Sequence, residues 1–124
     1  MNITLLICLM ICHHLADFQW TTPAMITAKS KGRPFIPILN HAAVHGTLIL
    51  LSLCAFGLPW LTSVLLAFLE LVTHFLIDLT KGQITAHYPT LSDNTKKPYW
   101  QLFGLDQILH ILVIIVIWYI ATEA

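Results

Sequence analysis

Charge is scarce in this chain. Only 10% of its 124 residues are charged and 57% are hydrophobic, whereas a soluble globular domain carries roughly 25% charged residues. That shortfall excludes an ordinary soluble domain and leaves an integral membrane protein. Basic residues are missing from every long apolar run: Lys29, Lys31, Arg33, Lys81, Lys96 and Lys97 all fall between runs. The first run, MNITLLICLMIC, has no basic leader and no small-residue cleavage site. It therefore reads as a retained first helix, not a signal peptide. There is no C-x-x-C pair. Cys8, Cys12 and Cys54 sit in apolar runs and read as small buried residues, which leaves the redox compartment open. No G-x-S-x-G elbow occurs, which argues against a serine nucleophile.

What is present is enough apolar sequence for four spans of about 20 residues each. The spacing predicts an all-α integral membrane protein, one domain over 1–124, with a bundle of four transmembrane helices at about 2–20, 37–56, 60–80 and 102–121. Pro23 opens a short interfacial helix that ends near Gly32. Gly82 is expected to stop the third span. The two segments that hold all the Lys and Arg, 29–33 and 81–97, are assigned to the cytoplasm as two loops, which places both termini outside. Trp20, Tyr99 and Trp100 mark the inner interface, and Trp60, Trp118 and Tyr119 the outer one.

Acids and histidines break into these runs. Asp17, Glu70, Asp78 and Asp106 lie within them, as do all the histidines except His87, which reads as a solvated loop residue. They recur at intervals of four: His13 and Asp17, His41 and His45, Glu70, His74 and Asp78, Asp106 and His110. On a helix that interval puts side chains on one face. The topology brings all of them to one layer near the inner interface. An acid at a helix centre costs roughly 2.5–3.5 kcal/mol on insertion scales, and no Lys or Arg within the spans can offset it. A divalent cation, or the histidines, must compensate.

Imidazole and carboxylate together suit a divalent transition metal, zinc first, as one or two ions. Facing helices of a bundle build such sites. The expected ligands are His14, Asp17, His41, His45, His74, Asp78, Asp106 and His110. His14 is preferred to His13 because adjacent helical residues point about 100° apart, so one of the two is a packing residue. Glu70, deepest from the charged loops, is the expected general base.

The stretches HHLADFQW, HAAVHG, ELVTHFLIDLTKG and DQILH, in this order from His13 to His110, resemble the bacterial membrane family known as domain of unknown function 3307. The resemblance implies a bacterial inner-membrane location. It implies that His14, Asp17, Gln19, His41, His45, Glu70, His74, Asp78, Asp106, Gln107 and His110 occupy the family's motif positions. It implies no activity. A looser likeness is to small membrane-bound metal-dependent hydrolases.

The function expected is that of a membrane-embedded metal-dependent hydrolase acting on an amphiphile at the cytoplasmic leaflet. Its partners are membrane lipid and that substrate, with no nucleic acid, and a homo-oligomer is compatible. One alternative is an oligomeric transporter or channel for a metal ion or proton; the apolar outer half and the shortness of the chain weigh against it. Another is a non-catalytic membrane subunit. Turnover separates the first reading from the others, and ion flux separates the transporter from the subunit.

Overall fold

In the computed structural model residues 2–123 are described, and they form helices joined by short connections, with no strand among them. α1 spans Ile3–His14 and runs directly into a π-helical turn, Leu15–Gln19. α2 spans Pro23–Lys31, α3 Phe35–Ala55 and α4 Trp60–His87; a 3-10 turn at Pro89–Ser92 leads to α5, Lys97–Glu123. α3, α4 and α5 are each long and apolar enough to cross a membrane. α1 and its π turn meet α2 at a bend of 93°, and this pair taken as one broken span makes a fourth.

Local chemistry sets the boundaries. Asn2 caps α1 by accepting from the Leu5 amide at 3.1 Å. Thr22 caps α2 by accepting from Met25 N at 3.2 Å, with Pro23 as the first helical residue, where its missing N–H costs nothing. Gly32 closes α2 in the left-handed conformation, φ 67°. Asp93 accepts from the amide and hydroxyl of Thr95, at 3.0 and 2.6 Å, just before α5; these bonds hold its carboxyl below the usual range.

Two predicted ends move. α5 begins at Lys97, earlier than the expected 102. α4 does not stop at Gly82 but continues to His87, so His87 is an exposed helical residue and not a loop residue. Gly82 is instead where α2 crosses α4. A Cβ there would collide with the Lys29 carbonyl and lie 2.5 Å from Gly32 N. Because these obstacles are backbone atoms, they cannot swing aside as a side chain could. Gly82→Ala is therefore expected to destabilise the fold by about 1–3 kcal/mol, the usual range for overpacking. A thermal melt in detergent unchanged from wild type would contradict this crossing.

The interior is layered. One half is apolar: Leu5, Leu9, Ile49, Leu53, Leu66, Ile114 and Ile117 form a buried cluster with Ala67 and Ala121. Ser52 lies beside it, 3.4 Å from Cys12 Sγ and 3.6 Å from Cys8 Sγ. The cysteines differ from expectation, since Cys54 is exposed and Cys8 and Cys12 are only half-buried. The other half is polar and largely buried, and it sits toward the end of the bundle where α2 lies across α4.

Candidate metal centre

α4 supplies the spine of the polar half. Glu70, His74, Asp78 and Gly82 form its buried stripe at intervals of four, with the first three at most 2% exposed. α3 presents His41 and His45 from one face, both buried. α5 presents Asp106 and His110, both buried. The first helix contributes His13 and Asp17. Its π turn, closed by a bond of 2.9 Å from Trp20 N to Leu15 O, brings the Asp17 side chain to 4% exposure. Such turns recur at functional sites.

The histidine choice on α1 is corrected. His13 is the buried member of the pair. His14 is exposed and stacks near Phe18, 5.3 Å between ring centres. Leu5, Leu9 and His13 are one buried stripe of α1, and His14 lies off it. Gln19 is also exposed.

Three sets of side chains hold ligand atoms within 4.8 Å of one another: His13, His45, Glu70 and His74; Asp17, His41, His45 and His74; and His74, Asp78 and His110. His74 belongs to all three. Asp17 Oδ1 lies 3.0 Å from His41 Nε2, 3.2 Å from His45 Nε2 and 3.7 Å from His74 Nε2. Asp78 Oδ2 lies 3.2 Å from His74 Nε2 and 3.6 Å from His41 Nε2, while Asp78 Oδ1 is 3.3 Å from His110 Nε2. Ligands bound to zinc at about 2.0–2.1 Å in a tetrahedron stand about 3.3 Å apart. The spacing of these atoms matches that edge.

Several polar atoms here are buried without a hydrogen bond, among them His74 Nε2, Asp78 Oδ2, His41 Nδ1 and Glu70 Oε2. Orphaned buried groups are costly, and a cation would satisfy those that face the cluster. The rings of His45 and His74 stack at 3.6 Å, and those of His74 and His110 at 4.0 Å.

Glu70 belongs only to the set with His13, His45 and His74, and it meets two of those imidazoles at Nδ1. Glu70 Oε1 accepts from His74 Nδ1 at 3.3 Å and lies 3.8 Å from His45 Nδ1. It is thus behind both imidazoles, on the side away from Asp17 and Asp78. Asp106 belongs to none of the three sets. Its Oδ1 lies 3.4 Å from His110 Nε2, the nitrogen that also meets Asp78, and its Oδ2 pairs with Lys81 at 3.4 Å.

Lys29 was missed in the sequence, and Gln107 was named there only as a motif position. Lys29 reaches in from α2, with Nζ 3.1 Å from His41 Nε2, 3.4 Å from Asp78 Oδ2 and 3.6 Å from Asp17 Oδ1. Lys29 and Lys81 therefore correct the expectation that no lysine offsets the buried acids. Gln107 donates to Asp17 Oδ2 and Asp106 Oδ2, both at 3.1 Å. Its place beside Asp106 in a motif position was the available signal. A cleft of about 350 Å³, bordered by Asp17, Lys29, Lys81, Thr85, Tyr99 and Phe103, opens the layer to the charged end.

No curated protein and no solved structure matches the chain. The family described as Protein of unknown function (DUF3307) matches residues 5–124. The ordered motifs that converge on the polar layer all fall within that match, and the chain belongs to this family.

Proposed function

We propose that the chain spans the bacterial inner membrane four times, with both termini outside, and acts as a metal-dependent hydrolase on an amphiphile that enters from the charged end. The observation that carries this reading is the shell of nitrogen and oxygen atoms from four segments, spaced at 3.0–3.7 Å around His74. Zinc suits that donor set best. A bound ion would lower the pKa of its water and polarise a carbonyl or phosphoryl oxygen. Asp17 belongs to the donor shell and also lines the cleft, so it joins the centre to the path by which a substrate would enter. Glu70, behind the imidazoles, is better placed to hold His74 and His45 in register than to act as the base first expected. Metal-bound histidines are commonly oriented by such a carboxylate.

Transport finds less support. A path through the bundle would have to cross the buried layer of Leu5, Leu9, Ile49, Leu53, Ile114 and Ile117. Protein purified without added metal should carry about one or two equivalents of a transition metal, and it should turn over a member of a panel of lipid phosphates, acyl lipids and amphiphilic amides. Metal flux through proteoliposomes with no turnover of the panel would replace the hydrolase with a transporter.

Orientation has its own test. With Cys8, Cys12 and Cys54 replaced by alanine, Ser92→Cys should resist an impermeant thiol reagent in intact cells. A cysteine added after Ala124 should react. The opposite pattern would put the cleft on the outer face.

A further inference from the structure

We infer that the groove between α4 and α5 holds one acyl chain of an anionic lipid, whose head group lies against Lys81 at the mouth of the cleft. The inference rests on the proposal that these helices cross a bilayer, and it names the class of amphiphile the site takes.

Two adjoining hollows make the groove. One, of about 420 Å³, is lined by Leu69, Thr73, Leu112, Val113 and Val116 together with Leu76, Ile77 and Leu109. The last three also line the second hollow, of about 280 Å³, which passes Thr80, Lys81 and Asp106 and continues to Ile84, Leu102 and Leu105. The single hydroxyl of the first hollow, on Thr73, donates to its own helix at Leu69 O, 2.7 Å away. The inner hollow therefore offers a ligand no polar contact. From the level of Lys81 and Asp106 inward to Val116, the groove follows ten residues of α5, about 15 Å at the helical rise. That is half of the roughly 30 Å hydrocarbon thickness, the reach of a chain from one leaflet.

The polar end specifies charge. Lys81 lines both the groove and the cleft. Its ammonium carries three donors; Asp106 is its one ion-pair partner among the described residues, and the Phe103 ring lies 5.5 Å away. Its side chain is 27% exposed, so donors remain for a ligand. Lys29, Ser30 and Ser92 stand along the same cleft. A chain seated in the groove thus delivers its head group to Lys81 and the hydroxyls of the cleft, while Lys29 stays engaged with Asp17, Asp78 and His41. A zwitterionic head group would bring a second positive charge to the same lysine.

The test uses the full chain in nanodiscs containing phosphatidic acid or phosphatidylcholine with a photoreactive group in the acyl chain. The phosphatidic acid probe should label Leu76, Leu109 and Leu112 about fivefold more than the phosphatidylcholine probe, as one lysine near an anionic head group supplies. Lys81→Gln should abolish that preference. Leu112→Trp should fill the groove and lower labelling severalfold, with metal content unchanged as the check on folding. Equal labelling by both probes, or labelling as heavy on the outward residues Leu65 and Phe68 of α4, would mean an ordinary lipid annulus and overturn the inference. Selective labelling of a protein that hydrolyses nothing would uphold the lipid site while removing the hydrolase. Turnover of an amphiphile unaffected by Leu112→Trp would do the reverse.

Discussion

His74→Ala is expected to empty the metal site. His74 is the one residue common to all three donor sets. Its Nε2 faces Asp17 and Asp78, and its Nδ1 is held by Glu70. Removing the ring takes a donor from every arrangement the other side chains can make, and no neighbour replaces it. Elemental analysis should fall from about one or two equivalents to background, with turnover lost alongside, because the ion generates the nucleophile. His14→Ala is the control. That ring is exposed beside Phe18, so its loss should leave metal unchanged. Asp106→Asn should keep most of the metal, since Asp106 joins no donor set and its Oδ2 is held by Lys81. A wild type without metal, or a His74→Ala protein that retains it, would leave the polar layer as a hydrogen-bonded network that stabilises the bundle.

Glu70→Gln should weaken metal binding by about 10–100-fold, the usual effect of losing a carboxylate that orients a ligating histidine. Glutamine keeps the size and one accepting oxygen, so the ring can stay in place. What is lost is the charge that favours the Nδ1–H tautomer and strengthens Nε2 as a ligand. Turnover at limiting metal should fall in proportion and recover when metal is added in excess. A general base behaves differently: metal affinity would hold, while turnover dropped by roughly 10²–10⁴ at any metal concentration. Titration of activity against added zinc distinguishes the two. The second pattern would return Glu70 to the catalytic role that its depth in the sequence first indicated.

The helical class and the convergence of polar residues were legible because period four survives tertiary packing. Glu70, His74 and Asp78 needed only the rule that such residues share a face, and α4 keeps that rule across 28 residues. The same rule, carried consistently, would have selected His13, which stands four residues from both Leu9 and Asp17. His14 was preferred although no stripe includes it. Lys29 was not legible, because its role depends on the 93° bend that turns α2 across the bundle, and a bend between helices has no periodic signature. Gly82 misled for a related reason. A glycine near the end of an apolar run usually marks a helix stop, but here it admits the backbone of a second helix. Asp106 has the spacing of a ligand, yet its partner Lys81 comes from another helix, and only packing reveals the pair.

The closed apolar half has a consequence for energetics across the membrane. If the chain spans the bilayer as proposed, the layer of Leu5, Leu9, Ile49, Leu53, Ile114 and Ile117 is the insulating part of the protein. Most of the transmembrane voltage then falls across it, beyond the carboxylates and imidazoles. One elementary charge crossing a full 100 mV exchanges about 2.3 kcal/mol. A cation moving from the cleft to His74 traverses only a small part of that drop. Occupancy of the centre should therefore be set by ion concentration at the charged face and be nearly independent of whether the cell is energised.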